Sequence, residues 1–289
     1  MRVLVTNDDG AEAIGIHHMA RALARDSRFD VVLVAPDQDR SGTAASLGTI
    51  DADGLRANRV AFADDDRIEA WALAATPAMC VMAANLGAFG RPPDIVVSGV
   101  NAGLNTGRAV LYSGTVGAAL SAQNLGLSAL AVSLQSSDRW HWDTATALAM
   151  EAVDLLIRAP GRSVLNLNVP ALDRAEVRGL YWARLAPFGE VRMVLTGADA
   201  EVDDHPTRRV ATELQFAQVS FDPDTDTGLV RAGYASLTTL TGISEAWPGE
   251  AADPVLVVPS VIPGAPLDPT HEVPDADQPG NLHRPAGAS

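Results

Sequence analysis

The sequence predicts an open, mostly parallel α/β sheet with helices on both faces, and three observations carry that prediction. Short runs at residues 3–5, 31–35, 95–98, 130–134 and 164–168 are apolar on both faces, as buried parallel strands are. Segments with helical spacing at 15–24, 76–86, 115–125 and 144–158 alternate with them, the order that right-handed crossovers produce. Oxygen-bearing side chains gather just after the strands, where ligands of such sheets bind. With 289 residues and 47% apolar content, the chain can bury a sizeable core.

Taken in order, the first strand runs into Thr6-Asn7-Asp8-Asp9-Gly10. Adjacent carboxylates repel, so a site that keeps Asp8 and Asp9 side by side calls for a cation between them. The alternative is a plain turn, since Asn, Asp and Gly are favoured there. The first helix carries His17 and His18, one expected against the core and the other toward solvent. The second strand leads into Asp37-Gln38-Asp39-Arg40-Ser41-Gly42, where Arg40 either faces a phosphate or pairs with Asp39 at the surface. Helix 76–86 holds Cys80, the one cysteine, expected as a buried, inert thiol; a disulfide framework and a thiolate metal cluster are excluded.

The strand at 95–98 opens into a loop from Gly99 to Gly107 that contains Asn101 and Asn105. Tyr112-Ser113-Gly114-Thr115 then starts a helix whose free N–H groups and positive dipole end suit a phosphate. A plain cap by Ser113 or Thr115 is the competing reading. Helix 144–158 has Asp143 or Thr144 as N-cap and Gly161 beyond its end. Val210, Leu214 and Phe216, with residues 233–240, read as antiparallel strands or an extended hairpin, an arm at about 180–240 within a body of residues 1–258. From 259 to 289 the chain is rich in Pro, Ala and Asp, and a mobile tail is expected.

Composition narrows the chemistry. A net charge of -15 argues against a surface for nucleic-acid polymers, which would need clustered positive charge. The 21 basic residues are all arginine, so a pyridoxal Schiff base, a Walker lysine and a lysine nucleophile are excluded. A nicotinamide binder is disfavoured because the first turn is acidic and lacks Gly-x-Gly-x-x-Gly. Two carboxylates, the Ser41 hydroxyl and the Asn101 amide oxygen make an all-oxygen set suited to Mg²⁺, Mn²⁺ or Ca²⁺. The six histidines lie outside these loops, which disfavours zinc. The first strand follows no basic, apolar leader and no run reaches membrane-spanning length, so a cytoplasmic location is expected.

Four separated motifs in order resemble the SurE survival-protein family: Thr6 to Gly10, Ala35 to Gly42, Pro93 to Gly103 and Leu111 to Ala119. Asn166-Leu167-Asn168-Val169-Pro170, Thr225-Asp226 and Gly233-Tyr234 extend the resemblance, which covers roughly residues 1–245. It implies a Rossmann-like core and a metal-dependent phosphatase acting on nucleoside 5′- or 3′-monophosphates. It implies Asp8, Asp9, Ser41 and Asn101 as metal ligands, with Asn105 and the Ser113-Gly114-Thr115 turn near the phosphate. It also implies homodimers or homotetramers built by exchanging the arm and C-terminal elements.

The chain departs from the usual family pattern at Ala75 and at Met79, where a carboxylate is lost, at Arg108 and Ala109 before the phosphate turn, and near Ala45. These changes motivate an alternative substrate, a sugar, cofactor or secondary-metabolite phosphate. A third reading is a catalytically weak homologue that only binds nucleotide or metal. For the chemistry, a metal-activated water attacking phosphorus, positioned by Asp8 or Asp9, is favoured; direct attack by an aspartate stays open. The dehalogenase-type phosphatases are a poor rival, because their two aspartates are spaced by one residue and they need a lysine.

Overall fold

Five strands with almost no solvent exposure explain why the parallel pattern is apolar on both faces. In the computed structural model, which describes residues 1–50, 53–62, 68–189, 191–199, 209–216 and 219–244, β1 (Arg2–Thr6) lies between β2 (Asp30–Pro36) and β5 (Ile95–Ala102), parallel to both. Beyond β5 come β6 (Ser128–Leu134) and β7 (Val164–Val169), again parallel. Beyond β2 lie β4 (Glu69–Leu73) and the antiparallel edge strand β3 (Ala57–Arg59). On the far side β11 (Ala235–Leu240) runs antiparallel to β7, followed by β8 (Leu180–Trp182). The nine strands are thus ordered β3-β4-β2-β1-β5-β6-β7-β11-β8.

Helices α1 (Ile14–Ala24) and α4 (Trp142–Arg158) cover one face, burying Ile16, Met19, Leu23, Leu148 and Leu156 with Val3, Val5, Leu33 and Leu130. On the opposite face α2 (Pro77–Asn85) and α3 (Gly114–Asn124) bury Cys80, Val81, Val116 and Ala119 against Leu4, Val32 and Val96. Helix α2 starts where its chemistry allows: Thr76 Oγ1 accepts the Met79 N–H, and Pro77 occupies the first turn. The chain moves from β1 toward β2, then returns to place β5 on the other side of β1. This switch opens a crevice above the carboxyl ends of β1 and β5.

Two expectations are refined. Residues 235–240, read as an antiparallel strand or part of a hairpin, are an antiparallel strand of the main sheet. The separate antiparallel pair is β9 (Val191–Asp199) with β10 (Arg209–Phe216), a narrower segment than 180–240. Strands β3 and β4 and the short helix α5 (Asp226–Arg231) went unread, because each is brief and lacks a clear period. The tail expected at 259–289 lies outside the described residues, and no helix among those described is long and apolar enough to cross a membrane.

Candidate metal and phosphate site

Asp8 and Asp9 stand at the carboxyl end of β1, in the crevice at the switch point. The preceding Asn7 closes the turn through its own side chain: Nδ2 donates to the Gly10 carbonyl at 2.9 Å and Oδ1 accepts from Gly10 N at 3.2 Å. Asp8 is only 3% exposed and Asp9 is half-buried. Burial holds the Asp8 carboxyl above its ordinary range, opposed by the Thr115 hydroxyl and by backbone N–H groups including those of Thr115 and Gly114. Asp9 is pushed up to about 6, first by burial and then by the charge of Asp8.

The start of α3 meets this corner directly. Thr115 Oγ1 donates to Asp8 Oδ1 in a short contact, and the same hydroxyl lies 3.1 Å from Asn101 Oδ1. One hydroxyl carries one proton, so it cannot serve both oxygens at full strength. Asn101 is fixed with its oxygen inward because its Nδ2 donates to the Gly103 carbonyl at 2.7 Å. The register of β5 against β6 shifts between Ser98 and Asn101, and this irregularity re-aims Asn101 toward the crevice. Convergent, under-protonated oxygens on hard ligands fit a divalent cation. No group of three His, Cys, Asp or Glu among the described residues is arranged to hold a metal ion, so amide and hydroxyl oxygens would complete its shell.

The remaining sequence candidates separate. Ser41 sits on the neighbouring loop, which is tied to the corner by Arg40 N donating to the Asp8 carbonyl at 2.7 Å. Its hydroxyl, however, donates to Asp39 Oδ1 at 2.6 Å, not to Asp8 or Asp9. That bond and the Ser41 N–H hold the Asp39 carboxyl below its usual range. Ser113 caps α3, its Oγ accepting from Val116 N at 3.1 Å, so the plain-cap reading holds for its acceptor side. Gly114 is required by contact: an added Cβ would lie 2.7 Å from the Asp8 Cβ. Asn105 stands half-buried on the next loop, with Nδ2 donating to Ser133 Oγ at 2.9 Å. Arg40 reaches Asp37 at 3.5 Å, where Asp39 had been the expected partner.

A family model described as survival protein SurE matches residues 3–189. The chain belongs to the SurE family. A protein named 5'/3'-nucleotidase SurE from Proteus mirabilis is 40% identical over 243 residues, 83% of this chain and 89% of the relative. A 5'-nucleotidase SurE from a Synechococcus strain is 35% identical over 242 residues, covering 83% and 91%. The crystal structure of the SurE protein from Aquifex aeolicus superposes with a TM-score of 0.66 at 27% identity, over 83% of this chain and 93% of that one. The mostly parallel sheet flanked by helices is therefore a SurE fold.

The departures from the SurE pattern take different places. Met79 packs in the core with Leu4, Val32 and Cys80, whereas Arg108 is exposed on the 3₁₀ turn Gly107–Tyr112. Ala45 lines a groove of about 810 Å³ that runs along α3 among Leu47, Met82, Leu111, Leu120 and Ile243. Two contacts escaped the sequence reading. Thr115 was placed near the phosphate, and its hydroxyl also bonds Asp8; the signal available for that contact was only its proximity to a glycine that admits the carboxylate. Asp226 was noted within a motif, and its carboxylate proves fully buried at the other end of the Asn105 loop.

Proposed function

We propose that this chain is a divalent-metal-dependent phosphomonoesterase that hydrolyses nucleoside 5′- or 3′-monophosphates to nucleoside and phosphate. The observation carrying this reading is the convergence of Asp8, Asn101 and the Thr115 hydroxyl at the start of α3. It stands in a chain whose relatives bear nucleotidase names. Asp8, Asp9, Ser41 and Asn101 would hold one Mg²⁺ or Mn²⁺ ion, Ca²⁺ being a third ion such oxygens suit, and a bound cation would neutralise charge on the phosphoryl oxygens. Ser41 would join this set only with its hydroxyl turned from Asp39.

The chain's own groups do the rest. Asp9, the more exposed of the pair, orients an attacking water through its carboxylate. Asp8, clasped by Thr115, fixes the corner against which the ester rests. The Ser113 O–H receives a phosphate oxygen beside Gly114 and Thr115, whose N–H groups face Asp8, and Asn105 adds an amide. A small phosphate monoester is the ligand class, and the cytoplasm is the proposed location. Homodimers or homotetramers assembled through the β9/β10 arm are the proposed assembly. The arm pairs only within itself among the described strands, and Leu111 and Ile243 are 68% and 98% exposed.

A panel of phosphate esters assayed with Mg²⁺, Mn²⁺, Ca²⁺ and EDTA tests the proposal. Turnover of nucleoside monophosphates above every other ester, abolished by EDTA, is expected. A preference for a sugar or cofactor phosphate would favour the specialised reading, to which Arg108 adds positive charge for more anionic esters. No turnover with any ion would leave a binding protein.

A further inference from the structure

The loop bearing Asn105 is held from below by a buried polar set. Asn168 clasps the residue as a neighbouring strand would: its Oδ1 accepts from Asn105 N at 2.8 Å and its Nδ2 donates to the Asn105 carbonyl at 2.9 Å. Asn166 Nδ2 donates to the same carbonyl at 2.9 Å, and Ser133 Oγ accepts from the Asn105 side chain at 2.9 Å. Asn166, Asn168 and Ser133 are each 0% exposed. Asn is a poor strand former, and buried amides are costly unless paired. Yet two of them stand in the middle of β7, and their N–H groups meet on one loop carbonyl. Asn166 Oδ1 has no hydrogen-bond partner among the described residues, so that amide is oriented by Asn105 alone.

The loop is fastened at its other end as well. Asp226 Oδ2 accepts from Gly107 N at 2.7 Å, while Asp226 Oδ1 accepts from Ala186 N at 2.9 Å. Gly107 has φ +58°, and an added Cβ would fall 2.2 Å from the Phe188 carbonyl oxygen, which leaves the turn no slack. Between these two anchors the Asn105 side chain is half-exposed. Ser133 occupies one of its Nδ2 hydrogens, and among the described residues the second N–H and Oδ1 are left for a ligand.

We propose that Asn166 and Asn168, by holding the Asn105 backbone, and Ser133, by holding its side-chain amide, are positioning residues that set this amide to receive a phosphate oxygen of the ester. The proposal rests on the phosphomonoesterase reading and adds to it the group that presents Asn105. A side chain held this way is not reorganised as charge develops on the phosphoryl group, which is where such a donor contributes most.

A double-mutant cycle on the full chain tests it, because Ser133 touches the Asn105 side chain and not its backbone. Ser133→Ala and Asn105→Ala are each expected to lower kcat/KM with Mn²⁺ about tenfold, mostly in kcat, and to weaken inorganic phosphate binding by calorimetry. The double variant is expected to equal Asn105→Ala, Ser133→Thr to retain activity, and the thermal midpoint of Ser133→Ala to stay near the parent's. Wild-type kcat/KM and phosphate affinity in Ser133→Ala would overturn the proposal. So would losses that multiply in the double variant, or an Asn105→Ala variant without effect. If the parent chain hydrolyses no ester, the phosphomonoesterase reading fails, while phosphate affinities across the same four variants still decide whether Ser133 acts through Asn105.

Discussion

Thr115 joins the two halves of the site with a single hydroxyl, shared between Asp8 Oδ1 and Asn101 Oδ1. Thr115→Val keeps the shape and removes that proton. The variant is expected to raise the Mn²⁺ concentration for half-maximal activity by about 10- to 100-fold, the usual cost of losing an outer-shell partner. An unchanged activation curve would remove Thr115 from the account. Protonation of the carboxylate pair opposes metal binding. With Asp9 pushed up to about 6, Mn²⁺ affinity is expected to be level above that pH and to fall up to tenfold per unit below it. The spin signal of free Mn²⁺ across a pH series reads this directly. At this scale the placing of Asp8, Asp9 and Asn101 at neighbouring strand ends was legible, because loops after parallel strands gather at one edge of the sheet. Ser41 was legible as a residue but not in its contact with Asp39, since rotamer choice leaves no trace in spacing.

Among the elements, four of the five parallel strands and α1 to α4 were readable within one or two residues, since buried strands and amphipathic or apolar helices impose strong periods; β5 runs four residues past the apolar run at 95–98, to Ala102, because its polar end carries Asn101. Helix α5 was not, being six residues long, and its role lies in one side chain. Asp226 at its start accepts N–H groups from Gly107, Ala186 and Thr227, although burial holds its carboxyl above the ordinary range. Asp226→Asn replaces one acceptor oxygen by an amine that would face N–H donors. It is expected to cost about 1–3 kcal/mol in chemical denaturation and to loosen the Asn105 loop. Stability equal to the parent's would mean that the anchor is dispensable. Cys80 agrees with its sequence reading: buried in α2, its thiol is pushed up by desolvation and has no chemistry to offer.

For the whole molecule, the order of strands explains why motifs scattered from Thr6 to Thr115 meet: β1 and β5 are neighbours only after a long excursion through β2 to β4. No local period encodes that pairing, although the αβ alternation limits it to few topologies. The antiparallel β9/β10 pair, which joins no other strand among the described residues, belongs at this scale too. Light scattering is expected to give at least twice the chain mass of 30.2 kDa, and deletion of residues 190–217 to reduce it to one chain. A monomeric parent chain would contradict the proposed assembly. The central claim concerns the acidic corner, and calorimetric titration of Mn²⁺ into metal-stripped protein at neutral pH tests it most directly. The account predicts one ion per parent chain, with binding lost in both Asp8→Asn and Asp9→Asn; equal binding by all three proteins, or none by the parent, would contradict it.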